Sequence, residues 1–108
     1  MGLWDGVETP ALVVDEDRMK ENARRMLRTV REQGVSLRPH VKTHKTIEGA
    51  FFQLFGDDAV ALRTERLANA SCKIAVSTLG EAEFFAAAGF QDILYAVFLA
   101  ANWTGHTP

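Results

Sequence analysis

The sequence lacks an excess of charge of either sign. Its 108 residues carry 12 lysines and arginines against 14 aspartates and glutamates, a formal net charge of −2. A protein that binds nucleic acid or an anionic membrane surface through its overall charge has a basic excess. The balance therefore predicts neither nucleic acid nor a membrane as a partner, and it favours a small molecule.

A long apolar run and a secretory signal are also missing. The longest apolar stretch, residues 93–101, is far shorter than the roughly 20 residues that a membrane-spanning helix requires. The N-terminus has neither the basic start nor the small-residue cleavage site of a signal peptide. Cys72 is the single cysteine, so it cannot form an internal disulfide, and we expect it to be a small buried residue. These features predict a cytoplasmic protein.

Several catalytic motifs are absent too. The sequence has no glycine-rich phosphate loop and no Gly-x-Ser-x-Gly turn, so two large enzyme classes lose support. Cys72, His106 and the acidic residues do not fall at metal-ligand spacings, and no metal ligand is predicted. What is present, 47% apolar and 24% charged residues, is the composition of one ordinary globular domain.

The chain alternates short β-rich runs with segments of helical periodicity. Strands are predicted over residues 9–15, 35–42, 73–77 and 92–97. Helices are predicted from Asp15 or Asp17 to about Gln33, from Thr46 to near Gly56 and from Thr78 to Gly89, with a further candidate over residues 57–70. This alternation is typical of parallel α/β architecture. Three such units would leave apolar sheet edges uncovered, so we expect the chain to be an incomplete piece of a larger fold.

Spacing within the helices predicts their inward faces. In the first helix the apolar residues are Met19, Ala23, Met26, Leu27 and Val30, while the arginines of the same helix are expected to be solvated rather than to form an anion site: Arg24, Arg25, Arg28 and Arg31. Thr78 and Glu81 match the capping-box pattern. The helix that follows them is expected to turn inward Leu79, Ala82, Phe85 and Ala86 or Ala88.

Lys42 lies at the predicted C-terminal end of a strand, where parallel sheets gather their catalytic groups. A partly buried lysine there can form an imine with a carbonyl, and the alternative is an ordinary solvated lysine. His40 and His44 have the spacing of two metal ligands on a helix. Pro39 and the strand pattern place His40 in extended structure instead, which favours two polar histidines, with His40 as a candidate cofactor neighbour.

Four strings occur in order at residues 9–15, 38–45, 77–83 and 89–96. The second reads Arg-Pro-His-Val-Lys-Thr-His-Lys and is the most specific. Together they resemble the N-terminal part of the D-serine dehydratase and D-threonine aldolase family. The resemblance makes residues 9–97 the N-terminal part of a pyridoxal-phosphate-binding barrel domain, after an extension of residues 1–8 and before a divergent tail of residues 98–108.

That family implies both a fold and a chemistry. The fold is α/β, a partial TIM-type barrel of the alanine racemase N-terminal kind, truncated after about three barrel strands. The chemistry is a pyridoxal-phosphate-dependent lyase that converts D-serine to pyruvate and ammonia, with Lys42 rather than Lys45 as the Schiff-base lysine. Residues 43–49 resemble the eukaryotic dehydratase branch more than the aldolases, and a D-threonine aldolase or racemase-like homologue is the alternative.

Departures from the family also carry expectations. Residues 55–71 form a longer connection than the family has, which predicts a surface insertion. The family's zinc ligands lie outside this chain, which clearly supplies only the cofactor lysine, so the isolated chain is expected to be inactive. A homodimer is expected only for a full-length form. A noncatalytic α/β module, in which Lys42, His40 and His44 are merely polar, is the alternative from a different class.

Overall fold

A computed structural model describes residues 2–56, 67 and 72–98. Within this part of the chain there are three helices, α1 (Glu16–Gln33), α2 (Ile47–Phe55) and α3 (Leu79–Ala87), and two strands, β1 (Lys73–Val76) and β2 (Asp92–Tyr95). Apart from Leu67, the candidate helix over residues 57–70 lies outside the described residues. None of the described helices has the length and apolar character needed to span a membrane.

A parallel sheet organises these elements. β1 and β2 pair in parallel along their full length. On the other side of β1, the N–H of Val41 donates to the Ala75 carbonyl at 3.0 Å, and the Ala75 N–H donates to the Pro39 carbonyl at 2.8 Å. The predicted strand over residues 35–42 is thus reduced to one bridge, at His40. Pro39 contributes only its carbonyl, so its missing N–H costs no ladder bond.

α2 and α3 contribute to the core on one face of this sheet, and α1 packs against α2. Phe85 packs edge-on against Phe90, with ring centroids 5.4 Å apart, and Phe51 lies 6.1 Å from Phe90. Burying each such side chain contributes roughly 1.5–3 kcal/mol. The core also contains Cys72, which is buried as predicted. The members of this core are Val41, Ile47, Ala50, Phe51, Leu67, Cys72, Ile74, Val76, Phe85 and Phe90.

The opposite face of the sheet is more polar. His40 is paired with Ala75, and Ala75 with Leu94, so these three residues share that face. Arg38, two residues before His40, reaches across it and donates to the Asp92 carboxylate at 2.7 Å. Arg38 and His40 lie two residues apart in extended chain, so they share this face. The ion pair ties the segment that leads to Lys42 to the start of β2.

Each described helix begins at a predicted cap. Asp15 accepts the N–H of Arg18 at 3.2 Å, Thr46 that of Gly49 at 3.0 Å and Thr78 that of Glu81 at 3.0 Å. These side-chain acceptors satisfy N–H groups that have no partner inside the helix. α1 ends at Gly34, whose φ of 65° favours glycine. The helix starts and the end of α1 are therefore confirmed.

Three predictions about local structure are wrong. Residues 9–15 form no strand, since no described segment provides a ladder partner for them, and Leu12 is exposed. Met26 is half exposed because the packed stripe of α1 is narrower than predicted and buries only Ala23 completely. Leu79 is exposed because it occupies the first turn of α3, past the end of β1.

Candidate functional site

Lys42 lies in a turn that directly follows the sheet. The preceding residue, Val41, is completely buried and hydrogen-bonded to β1, so the turn starts from a fixed point. The backbone N–H of Lys42 donates to Nδ1 of His40 at 3.1 Å. The turn closes where the N–H of Lys45 donates to the Val41 carbonyl at 2.9 Å. Lys42 is therefore held by its backbone at the carboxyl edge of the parallel segments.

The side chain of Lys42 is exposed. Across residues 2–56, 67 and 72–98 its ammonium group makes no hydrogen bond and no ion pair. The partial burial expected for this lysine is not found in the described part of the chain. What the structure does provide is an amine on a rigid backbone, and a deprotonated amine of this kind attacks a carbonyl carbon.

The ring of His44 is fixed on both sides. Its Nδ1 accepts the backbone N–H of Thr46 at 2.9 Å, and its Nε2 lies 2.8 Å from Oε1 of Gln53. Gln53 donates its amide nitrogen to the His40 carbonyl at 3.1 Å, so Oε1 is the atom that faces His44. Because Oε1 only accepts, Nε2 of His44 is the donating nitrogen and Nδ1 the accepting one in this arrangement.

These hydrogen bonds bear on whether His40 and His44 could bind a metal ion as a pair. Both ring nitrogens of His44 are engaged within the protein, which leaves none for a metal in this geometry. Among the described residues, no three histidine, cysteine or acidic side chains form a group that could hold a metal ion. The interpretation of His40 and His44 as polar residues near a strand end is therefore favoured over a metal pair.

Glu81 is a buried carboxylate at the same edge of the sheet. It accepts hydrogen bonds from the hydroxyls of Ser77 and Thr78, both at 2.8 Å. Burial alone would raise the pKa of Glu81, but the hydrogen bonds from Thr78 and Ser77 and the positive charge of Lys45 outweigh it, so that the pKa is lowered. An ionised carboxylate thus lies near the turn that carries Lys42.

Sequence reasoning identified Glu81 only as a capping residue. The capping-box pattern accounts for the backbone N–H and one carboxylate oxygen of Glu81. Spacing along the chain does not show that α3 begins beside the turn that carries Lys42. The hydroxyl pair Ser77 and Thr78 was the available signal, because two adjacent donors before an acid favour a buried, ionised carboxylate.

We expect Glu81→Gln to lower stability at neutral pH, and to lower it less in acid. A carboxyl whose folded pKa is depressed stabilises the native state above its unfolded pKa, and this contribution is lost as pH falls through the folded pKa. The measurement is urea unfolding from about pH 7 to about pH 4. It uses the full-length protein, by which we mean the longest natural form that carries these residues. Glu83→Gln, exposed on the same helix, is the control. A deficit that does not change with pH would contradict this prediction.

A cavity of about 730 Å³ lies between the N-terminal segment, α1 and the segment that leads to Lys42. Most of its walls are apolar, and His40, Thr43, His44 and Gln53 form a polar part of its lining. Lys42 is not among the lining residues. This cavity therefore touches the hydrogen-bond network around His44 and not the lysine.

Comparison with known proteins places the chain among enzymes of D-amino acids. No protein-family profile matches it. It is 50% identical over 96 residues to D-threo-3-hydroxyaspartate dehydratase of Delftia sp. (strain HT23), covering 89% of this chain and 22% of that protein. It is 37% identical over 98 residues to D-serine dehydratase of Dictyostelium discoideum, covering 91% and 22%. D-threonine aldolase of Arthrobacter sp. matches at 38% over 87 residues, covering 81% and 20%.

The solved structure of the Delftia dehydratase is also similar. It superimposes with a TM-score of 0.66 at 49% identity, covering 88% of this chain and 22% of that chain. The chain thus spans about a fifth of the length of the curated relatives it matches.

Proposed function

Because the chain belongs to the D-serine dehydratase and D-threonine aldolase family, we propose that the full-length protein is a pyridoxal-phosphate-dependent lyase for a 3-hydroxy D-amino acid, with Lys42 as its cofactor lysine. The observation that carries the proposal is the position of Lys42. Its amine is unpaired among the described residues, and its backbone is anchored at the carboxyl edge of three parallel segments. Ligands bind at this edge in parallel α/β proteins.

The residues present fit one part of pyridoxal phosphate, its aldehyde. The cofactor, when bound, supplies an electron sink that makes the Cα proton of an amino acid acidic. Lys42 would hold the cofactor through its Nζ atom, and a lysine amine in this position is also a base that could hold the Cα proton. His40 is the second candidate contact, since it accepts the Lys42 N–H and shares its edge of the sheet.

The rest of the site is proposed to come from sequence outside this chain. The described residues contain no glycine-rich loop for a phosphate and no metal cluster. We assign the phosphate-binding loops and the family's zinc ligands to the part of the relatives' length that this chain does not cover. A mutant of D-threo-3-hydroxyaspartate dehydratase has been solved in a metal-free form. In the proposed full-length enzyme, zinc would act as a Lewis acid for the departing hydroxyl group of the substrate.

Residues 9–97 are proposed to be the first part of an alanine racemase-type barrel, with residues 1–8 as an extension and residues 98–108 as a divergent tail. The support is the order of the parallel segments. The bridge at His40, β1 and β2 lie side by side in the order in which the chain makes them. A (β/α) barrel is built by repeating this step until it closes.

Two substrates follow from two observations. Residues 43–49 resemble the eukaryotic D-serine dehydratase branch more than the aldolases, which favours conversion of D-serine to pyruvate and ammonia. The 50% identity to a D-threo-3-hydroxyaspartate dehydratase favours the acidic substrate that this relative's name carries. Both reactions remove a β-hydroxyl group, whereas the alternative aldolase reaction breaks the Cα–Cβ bond.

The test is product analysis of the full-length protein with pyridoxal phosphate and each of D-serine, D-threo-3-hydroxyaspartate and D-threonine. Ammonia and a keto acid from either of the first two supports the dehydratase. Glycine and an aldehyde from D-threonine alone would replace it with the aldolase. A protein that neither binds the cofactor nor turns over a substrate would leave the noncatalytic module. The isolated chain is expected to show no turnover, because one lysine cannot hold the cofactor's phosphate and ring at the same time.

A further inference from the structure

We propose that Gln53 and Gly49, both on α2, are positioning residues for Lys42, and that they act through His44. This inference rests on the proposed function and deepens it. Neither residue contacts the Lys42 amine. What they fix is the conformation of the turn from Lys42 to Lys45.

Gln53 joins the two ends of the turn. Its amide nitrogen donates to the His40 carbonyl at 3.1 Å, two residues before Lys42. Its amide oxygen accepts from Nε2 of His44 at 2.8 Å, two residues after Lys42. In the parallel ladder Pro39 and Val41 bond to β1, so the His40 carbonyl points away from β1 and needs a different partner. Gln53 supplies it from a half-buried position.

Gly49 provides the space for the His44 ring. A Cβ atom at residue 49 would lie 2.5 Å from Nδ1 of His44, 2.6 Å from its Cγ and 2.7 Å from Oγ1 of Thr46, the residue whose N–H the ring accepts. The His44 ring and a Cβ atom of residue 49 cannot both occupy these positions. Glycine is unfavourable inside a helix, so its presence in the first turn of α2 agrees with a requirement for the ring in this place.

The two contacts place Lys42 between fixed neighbours. His40 holds the Lys42 backbone N–H through Nδ1, and His44, locked by Gln53, holds the following residues through Thr46. A change in either neighbour rotates the Lys42 backbone and moves the amine at the end of its long side chain. A misplacement of about 1 Å can lower a reaction rate about 100-fold.

The first test replaces Gln53 in the full-length protein. Gln53→Leu keeps the size of the side chain and removes both hydrogen bonds. We expect it to lower kcat and the rate at which borohydride fixes pyridoxal phosphate on Lys42 by about 10- to 100-fold. Gln91→Leu, the same exchange at an exposed position, is the control and should leave both quantities unchanged.

A pH profile separates positioning from a general loss of structure. In Gln53→Glu a carboxylate faces His44 and favours its doubly protonated ring, which can no longer accept the Thr46 N–H. The acidic limb of the kcat profile should therefore move upward by about one pH unit. The titratable groups on the neighbouring segments are unchanged in this variant: His40 before the turn, Lys42 and Lys45 on it, Glu48 on α2 and Glu81 on α3.

The second test replaces Gly49. Gly49→Ala should reproduce the loss seen with Gln53→Leu, because both release the His44 ring. Gly80→Ala in the first turn of α3 is the matched control, since the nearest atom to a Cβ there lies 3.9 Å away.

The outcomes distinguish the two levels of the proposal. Cofactor on Lys42 in the unaltered protein, with normal rates and an unshifted pH profile in the Gln53 and Gly49 variants, would overturn the positioning role and leave the proposed function intact. Absence of cofactor from Lys42 in the unaltered protein would overturn the proposed function itself. Reduced fixation at Lys42, a shifted profile for Gln53→Glu and silent controls are the results we expect.

Discussion

Replacing Lys42 by arginine in the full-length protein should abolish the covalent fixation of pyridoxal phosphate by borohydride and lower turnover by on the order of 10³-fold or more. Arginine keeps the positive charge and the length of the side chain. Its guanidinium group stays protonated at all accessible pH values, so it does not attack a carbonyl.

Lys45→Arg is the matched control for this experiment. Lys45 lies in the same turn and, with a φ of 54°, closes it, and its charge lowers the pKa of Glu81. Arginine preserves that charge, so turnover and labelling of Lys42 should change little. Equal loss from the two variants, or label that moves to Lys45, would make the assignment of Lys42 wrong.

Phe85→Ala should lower the free energy of unfolding by about 3–5 kcal/mol. Phe85 is completely buried and makes an edge-on contact with Phe90 at 5.4 Å. Removing the ring leaves a cavity in the middle of the core, at the point where α3 packs against both strands. Equilibrium unfolding of the full-length protein in urea measures the loss.

The neighbouring residue provides an unusually close control. Phe84 has the same side chain on the same helix but is about half exposed, at 51%. Phe84→Ala should therefore cost no more than about 1 kcal/mol. If both variants lost the same stability, the inward face of α3 would be placed incorrectly.

The helix starts were predictable because their signals are local. Asp15, Thr46 and Thr78 each place an oxygen next to a backbone N–H three residues ahead, and this chemistry depends on no distant residue. The strand over residues 9–15 failed for the opposite reason. A β-branched run becomes a strand only when another segment hydrogen-bonds to it, and among the described residues none does so.

The candidate site also has a part that was predictable from the sequence and a part that was not. The position of Lys42 at the end of a parallel segment follows from the pattern of the chain, and it agrees with the ladder around His40. The contacts of Gln53 with His40 and His44 could not be predicted. These contacts depend on where α2 packs after the turn. Helical spacing shows only that Gln53 lies outside the apolar face of α2.

Cys72 has a practical consequence. It directly precedes β1, and it is the single thiol of this chain, with only 3% of its surface exposed. A reagent that alkylates thiols reaches it only when the core around β1 opens. When opening and closing are fast, the rate of alkylation reports how often that opening occurs. Alkylation of Cys72 therefore reports local opening of the native state at β1, the strand next to the segment that leads to Lys42.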